Sequence, residues 1–409
     1  MAANRVSYTF GFHGPSMVID TACSSSIAAL HIACQSLRNG ECTRAVVASV
    51  DLLLAQHSII LRDKAGMLSE NGRCAVFDET ANGYARGEGA ACVLLRLDGA
   101  LSSKEREETY AFVRATSTNH NGQSARLTAP SGSAQQRLID AAIRACGITP
   151  DDVSFVEAHG TGTALGDPIE FNALQSVFCT PQACSRPLYV GASKGNIGHL
   201  EGAAGIAGFV KTCLILRHGK VPPNIHFKKL NPHMSSIASP RALSIPHELH
   251  DLPASLSADG INYACVSSFG FGGSNSHAVL SSNPAQKQPS RELSEPSTPV
   301  KSFRFCFACT GQGSQYVNMA KELYENEPIF KEVLVSVSEI LSQAFPQYMQ
   351  PSLLDVMYPS PPTSEHVAFS EKLLQMTQYA QPAIFAIGCA LSKLWQQHGI
   401  GLMLCLGIA

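Results

Sequence analysis

Three residues far apart in the sequence could together carry out nucleophilic chemistry at a carbonyl group: Cys23, His159 and His199. Cys23 stands among small residues, between the apolar pair Val18–Ile19, interpreted as a strand end, and a helical pattern from Ile27. At such a turn, the helix dipole and free backbone N–H groups favour the thiolate, the form of cysteine that attacks carbonyl carbons. Because the chain has 14 cysteines, a buried structural cysteine is the ordinary alternative, and the flanking residues must decide.

The elements that must position these side chains alternate between strand-like and helix-like segments over residues 1–282. Such alternation predicts a layered α/β fold with active-site loops at the strand ends. His159 follows a predicted strand at 153–156, and the loop that contains Lys194 follows a predicted strand at 188–191. Further strands are predicted at 45–50, 91–97 and 277–280, and helices at 27–37, 133–146 and 202–216.

Residues 283–302 interrupt this alternation with a stretch rich in proline and serine, and we interpret them as a linker. Residues 303–409 then form a further segment, with a predicted strand at 303–310 and predicted helices at 316–334 and 378–398. Cys306 and Cys309 lie in that apolar strand. Without a second ligand pair nearby, their CxxC spacing indicates a buried strand and no metal site.

The composition limits the classes of function. Hydrophobic residues make up 45% of the 409 residues and charged residues 15%, enough for a large core in more than one domain. The net charge of −2 gives no electrostatic reason to expect nucleic acid or an anionic membrane as a partner. Cysteines without framework spacing fit a reducing compartment, and no signal peptide or membrane span is evident, so we expect a cytoplasmic protein.

Four motifs carry a resemblance to a known family. Asp20-Thr-Ala-Cys-Ser-Ser-Ser26 resembles the nucleophile motif of β-ketoacyl synthases, the condensing enzymes of fatty acid and polyketide assembly. Glu157-Ala-His-Gly-Thr-Gly-Thr163 and Lys194-Gly-Asn-Ile-Gly-His-Leu-Glu-Gly-Ala-Ala-Gly205 resemble its two histidine motifs, and Phe269-Gly-Phe-Gly-Gly-Ser-Asn275 its closing glycine loop. Four motifs in the family's order make a chance match very improbable.

The resemblance implies a thiolase-like fold, two related halves in five αβαβα layers, and a decarboxylative Claisen condensation. Cys23 would hold the acyl group, while His159 and His199 would stabilise the enolate that decarboxylation leaves. Substrates would be acyl and malonyl thioesters presented on the phosphopantetheine of an acyl carrier protein. No cofactor would be bound directly, no metal is expected, and the intact enzyme would be a homodimer.

Supporting roles are also implied by the resemblance. Lys194 would be buried near His199 and tune the charge of the site, and Thr161 and Thr163 would bind the pantetheine arm. Phe271, followed by Gly272 in the closing loop, would gate the pocket and supply an oxyanion-hole N–H together with that of Cys23. Plain structural roles are the alternative for each: a surface lysine for Lys194 and a core aromatic for Phe271.

The segment 303–409 resembles the opening of a malonyl-type acyltransferase domain, through Thr310-Gly-Gln-Gly-Ser-Gln315 and Gln378-Tyr-Ala-Gln-Pro-Ala-Ile-Phe-Ala386. The order ketosynthase then acyltransferase is that of type I polyketide or fatty acid synthases. The serine elbow of that family does not follow before Ala409, so this segment is expected to be inactive, and the N–H of Gln312 would have no oxyanion to bind.

The start of the chain departs from the family pattern, because only 22 residues precede Cys23. We therefore expect an N-terminally truncated ketosynthase with exposed sheet edges and apolar faces, weak folding and little activity as an isolated chain.

Two other functions stay open. A degradative thiolase of the same fold usually needs a second catalytic cysteine near the closing loop, and 269–277 contains none; Cys265 lies before it. A non-catalytic fragment of a megasynthase is the other alternative. A cysteine peptidase is a remote alternative, because no Asn or Asp is placed in a recognisable motif that would orient either histidine.

Overall fold

The computed structural model describes residues 1–234, 239–257, 260–285, 305–306, 315–397 and 402–403. The chain divides into two compact units, Met1–Glu292 and Leu293–Ala409. The predicted linker lies largely outside the described residues, as do Cys309 and Gln312.

The first unit alternates strands and helices as the pattern predicts. Its strands are β1 (Arg44–Asp51), β2 (Gly89–Arg96), β3 (Phe112–His120), β4 (Val153–Glu157), β5 (Leu188–Gly191), β6 (Lys220–Val221), β7 (Leu243–Ser244), β8 (His250–Asp251), β9 (Tyr263–Phe269) and β10 (Ser274–Ser281). Its α-helices are α1 (Ala2–Phe10), α2 (Ser25–Arg38), α3 (Gln56–Lys64), α4 (Ser103–Glu108), α5 (Gly132–Cys146), α6 (Gly166–Phe178), α7 (Lys194–Ile197) and α8 (Ala204–His218). Short 3₁₀ turns occupy Asp98–Ala100, Pro150–Asp152 and Glu201–Ala203.

A six-stranded mixed sheet forms the centre of this unit, in the order β3-β10-β9-β4-β5-β7. β10 is antiparallel to β3 and β9, whereas β4 is parallel to β9 and β5. Side chains along β9 alternate between the two faces: Cys265 packs with α5 and α6, and Val266 packs with α2 and α8. Helices therefore cover both faces of the sheet.

The antiparallel pair β1–β2 lies on the other side of α2 and α8. Val47 and Val93 point into the same apolar core as Ile27 and Phe209. The layers are thus α5 and α6, the six-stranded sheet, α2 and α8, and the two-stranded sheet, consistent with the predicted thiolase-like architecture. The outer face of the two-stranded sheet is exposed at Val46, Val50 and Leu94.

The second unit is helical over most of its described residues. Its elements are β11 (Phe305–Cys306), α9 (Lys321–Asn326), α10 (Pro328–Ala344), α11 (Leu353–Met357), α12 (Ser364–Leu374), α13 (Thr377–Gln397) and β12 (Leu402–Met403). Its core contains Phe330, Leu334, Leu353 and Tyr379. None of the helices in the described part of the chain is long and apolar enough to cross a membrane.

Two sequence predictions are wrong. Val18–Ile19 is not in a strand, and the adjacent pairing is only an isolated bridge between Thr21 and Cys23. The single helix predicted at 316–334 is two helices, because Glu327 is extended and Pro328 begins α10.

His277 lies fully buried in β10, with its Nδ1 3.0 Å from the hydroxyl of Ser267. Burial lowers the pKa of this imidazole to about 3, because the charged form would lose its hydration. The native state therefore holds His277 neutral, which makes its contribution to stability dependent on pH.

We expect the stability that wild type gains from neutral His277 to be present above about pH 6.5 and lost as the pH falls toward about 3. As the pH falls, the unfolded chain binds this proton before the folded protein does. The difference in free energy of unfolding between wild type and a His277→Gln variant should therefore decrease by up to about 1.4 kcal/mol per pH unit. Amide hydrogen exchange in β9 and β10 is the suitable measurement, since the single tryptophan, Trp395, belongs to the second unit. The exposed His57→Gln is the matched control; a difference that stays constant from pH ~7 to ~5 would contradict the prediction.

Candidate active site

The cysteine turn is held by short polar contacts just before α2. Ala22 adopts a positive φ of 56°, rare for a residue with a side chain. Its N–H donates to Asp20 Oδ1 over 3.0 Å, and the N–H of Thr21 donates to Ser25 Oγ over 2.9 Å. From the sheet, the hydroxyl of Ser268 donates to the carbonyl of Cys23 over 2.7 Å. These contacts fix the direction in which the thiol projects.

The closing glycine loop packs directly on this turn. A Cβ at Gly270 would lie 2.3 Å from the carbonyl oxygen of Thr21, so only glycine permits this approach. The approach brings the N–H of Phe271 to the Cys23 sulfur, beside the N–H of Cys23 itself. Two backbone donors therefore converge where the sequence predicted an oxyanion hole.

The ionisation of Cys23 corrects one expectation. The residue is only 8% exposed, and burial raises the pKa of its thiol to about 11. Lys194 and the two N–H groups lower this pKa, whereas the charge of Glu201 raises it. The prediction that the helix start would favour the thiolate is therefore wrong for the free protein, because the loss of hydration outweighs the local dipoles.

His199 meets the thiol with a defined nitrogen. Its Nε2 lies 3.2 Å from Cys23 Sγ, and its Nδ1 accepts the backbone N–H of Glu201 over 3.0 Å. Because Nδ1 acts as an acceptor, a neutral ring must carry its hydrogen on Nε2. Burial, followed by the charge of Lys194, holds the pKa of His199 well below its usual range. The ring is therefore a neutral donor aimed at the sulfur.

His159 lies next to His199, with 5.7 Å between the ring centroids. Burial and the charge of Lys194 also hold the pKa of His159 well below its usual range. Its Nδ1 is buried and has no hydrogen-bond partner among the described residues. Two neutral imidazoles therefore lie side by side, and Nε2 of one of them reaches the cysteine.

Lys194 is buried, as the resemblance implied, and its Nζ donates to the carbonyl oxygen of His159 over 2.5 Å. Burial lowers the pKa of this ammonium, while Glu157 and Glu170 raise it. The lysine thus links the two histidine motifs, and its positive charge adds to the burial that keeps both imidazoles neutral.

Buried carboxylates hold these loops, and the sequence interpretation missed them. Glu170 accepts the N–H groups of His159 and Gly160 over 2.7 and 2.8 Å, and Asp167 accepts those of Phe77 and Gly162 over 2.8 and 3.0 Å. Burial raises the pKa of Asp167 to about 6 and that of Glu170 to about 7. The sequence signal that could have indicated them is the pair of acidic residues in the polar first part of α6, a helix that is otherwise apolar.

The remaining predicted residues lie around this centre. The hydroxyls of Thr161 and Thr163 are 3.1 Å apart. The side chain of Phe271 is 55% exposed, which rules out the plain core role. The carbonyl of Gly272 lies 3.0 Å from Nε2 of His120. Contacts with the cysteine thus come from the backbone of the closing loop, and its aromatic ring faces outward.

The structure bears on two other possibilities, a second catalytic cysteine and a metal site. Cys265 is fully buried in β9 on the face packed by α5 and α6, and burial raises its pKa. Its side chain lies on the face of the sheet opposite to α2, the helix that follows Cys23, so it is not placed beside the Cys23 thiol. Within the described residues, no group of three or more His, Cys, Asp or Glu side chains could hold a metal ion.

Family models match most of the chain. Residues 1–100 match the N-terminal domain of β-ketoacyl synthases, and 110–228 match the C-terminal domain. Residues 231–350 match the ketoacyl-synthetase C-terminal extension, and 306–406 match the acyl transferase domain. The extension match spans the predicted linker and both of its flanks.

Curated relatives of similar sequence are large synthases. The hybrid PKS-NRPS synthetase pyvA of Aspergillus violaceofuscus is 43% identical over 281 residues, 68% of this chain and 7% of that protein. The highly reducing polyketide synthase 40 of Fusarium mangiferae is 44% identical over 286 residues, 68% of this chain and 11% of that protein. The chain thus spans only a small part of the length of these relatives.

Solved ketosynthases share the fold. The ketosynthase from module 6 of the bacillaene synthase of Bacillus subtilis has a TM-score of 0.63 at 39% identity, over 69% of this chain and 50% of that one. The oxazolomycin ketosynthase domain OzmH KS8 of Streptomyces albus has a TM-score of 0.58 at 33% identity, over 70% of this chain and 71% of that one. With the motif order and the Cys–His–His arrangement, these likenesses show that the chain belongs to the β-ketoacyl synthase family, among the ketosynthases of polyketide synthases.

Proposed function

We propose that the first unit catalyses a decarboxylative Claisen condensation between an acyl group on Cys23 and a malonyl-type thioester. One observation carries the proposal: the Cys23 sulfur lies between two backbone N–H donors and the Nε2 of a neutral His199, with His159 beside it. Two separate donor pairs are what this reaction requires, because it develops negative charge on two different oxygens.

In the first half-reaction, Cys23 attacks an acyl thioester carried on a phosphopantetheine arm. The new C–S bond forms first and gives a tetrahedral intermediate; the old C–S bond then breaks, and the departing pantetheine sulfur takes the proton that Cys23 releases. The N–H groups of Cys23 and Phe271 bind the oxyanion of the tetrahedral intermediate. Burial raises the pKa of the resting thiol to about 11, so Cys23 must release its proton as it attacks.

In the second half-reaction, the malonyl thioester loses carbon dioxide and becomes an enolate. Its oxygen accepts hydrogen bonds from Nε2 of His199 and from the ring of His159, while its carbon attacks the acyl group on Cys23. The cysteine sulfur leaves and takes up one proton, which restores the thiol. Neutral imidazoles suit this role, because they donate a hydrogen bond and keep their proton.

The other residues take supporting roles in this proposal. Lys194, buried against His159, adds its charge to the burial that keeps both imidazoles neutral. Thr161 and Thr163 face the pantetheine arm, and the exposed ring of Phe271, on the loop with Gly272, gates the entrance. An acyl carrier protein delivers both thioesters. We also propose that two copies associate, as ketosynthases do, and the exposed apolar face of β1–β2 supports such an association.

Intact-protein mass spectrometry after incubation with an acyl thioester tests the nucleophile. We expect a single acyl adduct on wild type, none on Cys23→Ala, and an unchanged adduct on Cys92→Ala, which removes an exposed cysteine. An adduct that persists without Cys23 would overturn the proposal. No adduct on wild type, with a broad melting transition, would instead agree with the low activity that the sequence predicted for the isolated chain.

A further inference from the structure

The residue that fixes the tautomer of His199 has a strained backbone. Glu201 donates its N–H to Nδ1 of His199 from a φ of 37°, in the left-handed region that residues with side chains rarely adopt. A residue in this conformation persists only where its surroundings hold it. The hydrogen bond to His199 therefore depends on whatever keeps Glu201 in place.

Two arginines hold the side chain of Glu201. The guanidinium of Arg62, in α3, donates to both carboxylate oxygens, through Nε to Oε1 and through Nη2 to Oε2 over 2.6 Å. Nη1 of Arg86 lies 3.1 Å from Oε1, at ion-pair distance but without hydrogen-bond geometry. Nη2 of Arg86 donates to Asp51, at the end of β1, over 2.8 Å. The Glu201 side chain is 21% exposed and that of Arg86 7%, so solvent screens these contacts less than a surface pair.

The same arginine also borders His199 through its backbone. Arg86 forms a parallel bridge with His199, in which the N–H of His199 donates to the carbonyl of Ala85 over 2.7 Å. A Cβ at Gly198 would lie 2.7 Å from the carbonyl oxygen of Arg86, so the two segments touch directly. One short segment thus positions both the backbone of His199 and the carboxylate of Glu201.

We propose that Arg62, Arg86 and Glu201 form an ionic clamp that sets the tautomer of His199. The clamp holds Glu201 at its positive φ, so its N–H stays aimed at Nδ1 and the hydrogen of the ring stays on Nε2, facing Cys23. Glu201 is a positioning residue, since the contact that it makes with the catalytic residues is the N–H that it donates to His199. The importance of the clamp for catalysis rests on the proposed function. Its effect on the tautomer of His199 does not depend on any substrate.

Nitrogen-15 NMR of histidine-labelled full-length protein tests the clamp directly, because the two ring nitrogens have distinct shifts when protonated and unprotonated. A His199→Gln variant assigns the resonances. We expect wild type to favour the Nε2–H form by about tenfold, the preference that one net hydrogen bond gives, and Glu201→Ala to reduce it to about twofold or less. Glu79→Ala, which removes an exposed partner of Lys229, is the matched control and should leave the preference unchanged.

Retention of the wild-type preference in Glu201→Ala would overturn the inference. If that variant does not fold, as judged by circular dichroism, Arg62→Gln decides in its place, because it leaves Glu201 and the Arg86–Asp51 pair intact. An acyl adduct that persists in Cys23→Ala would refute the proposed function without changing this result. Where condensation is measurable, kcat of Glu201→Ala should fall only in proportion to the share of the Nε2–H form, by less than about twofold, with KM for the thioester unchanged.

Discussion

His159→Ala and His199→Ala are each expected to slow the release of carbon dioxide from a malonyl thioester by roughly 10²–10³-fold, the usual cost of one oxyanion donor. Both rings are neutral and adjacent, and in the proposed function each donates one hydrogen bond to the same enolate oxygen. The double variant should be little worse than either single one, because residues that act as a unit are not additive.

Release of labelled carbon dioxide, separated from acylation of Cys23 by mass spectrometry, provides the measurement. Acylation relies on the backbone N–H groups of Cys23 and Phe271, so it should fall much less than decarboxylation in His159→Ala. His57→Ala, at an exposed position, is the control for loss of an imidazole. Rates within about twofold of wild type for both active-site variants would contradict the proposed roles.

Gly270→Ala, which adds a single methyl group, is expected to lower both the free energy of unfolding and the acylation of Cys23. Its Cβ would lie 2.3 Å from the carbonyl oxygen of Thr21 and 3.1 Å from the hydroxyl of Ser24. Backbone cannot yield as a flexible side chain can, so either the cysteine turn or the closing loop must move. Overpacking of this kind costs about 3 kcal/mol of folding free energy, and the displaced Phe271 N–H no longer meets the sulfur.

Gly99→Ala separates this effect from a general cost of replacing glycine. Nothing lies within 4 Å of a Cβ at Gly99, so its change in stability should stay within about 0.5 kcal/mol. Two quantities are measured: the stability of the first unit, from amide hydrogen exchange, and the yield of the acyl adduct on Cys23. A Gly270→Ala protein as stable and as readily acylated as Gly99→Ala would show that the loop is not in contact with the turn.

Most of the fold and the central residues were predictable, because their signals are local. Apolar alternation and helix-ending glycine and proline predicted β1, β4, β5 and α5 to within one residue at most boundaries. The prediction of one helix at 316–334 was wrong because Pro328 begins a new helix within a continuous amphipathic pattern. Cys23, His159 and His199 were found by their glycine-rich and small-residue contexts, which mark loops where the backbone approaches a site closely.

The electrostatic partners were not predictable in the same way. Asp167 and Glu170 follow a histidine motif in sequence, yet nothing local shows that their oxygens accept the N–H groups of other loops. The pKa of Cys23 depends on the balance between burial and dipoles, and burial is a tertiary property. Likewise, the contact between Arg62 and Glu201 joins residues 139 positions apart.

The contact between Cys23 and His199 closes a loop of 176 residues, and it forms on the same turn that Ser268 reaches from 245 residues away. Contacts of such separation form late in folding, since the entropy of closing long loops must be overcome by structure already in place. We therefore expect the surroundings of Cys23 to be complete only after β9 and β10 have joined the sheet. On this expectation, acylation of Cys23 by a thioester would report that the first unit has finished folding.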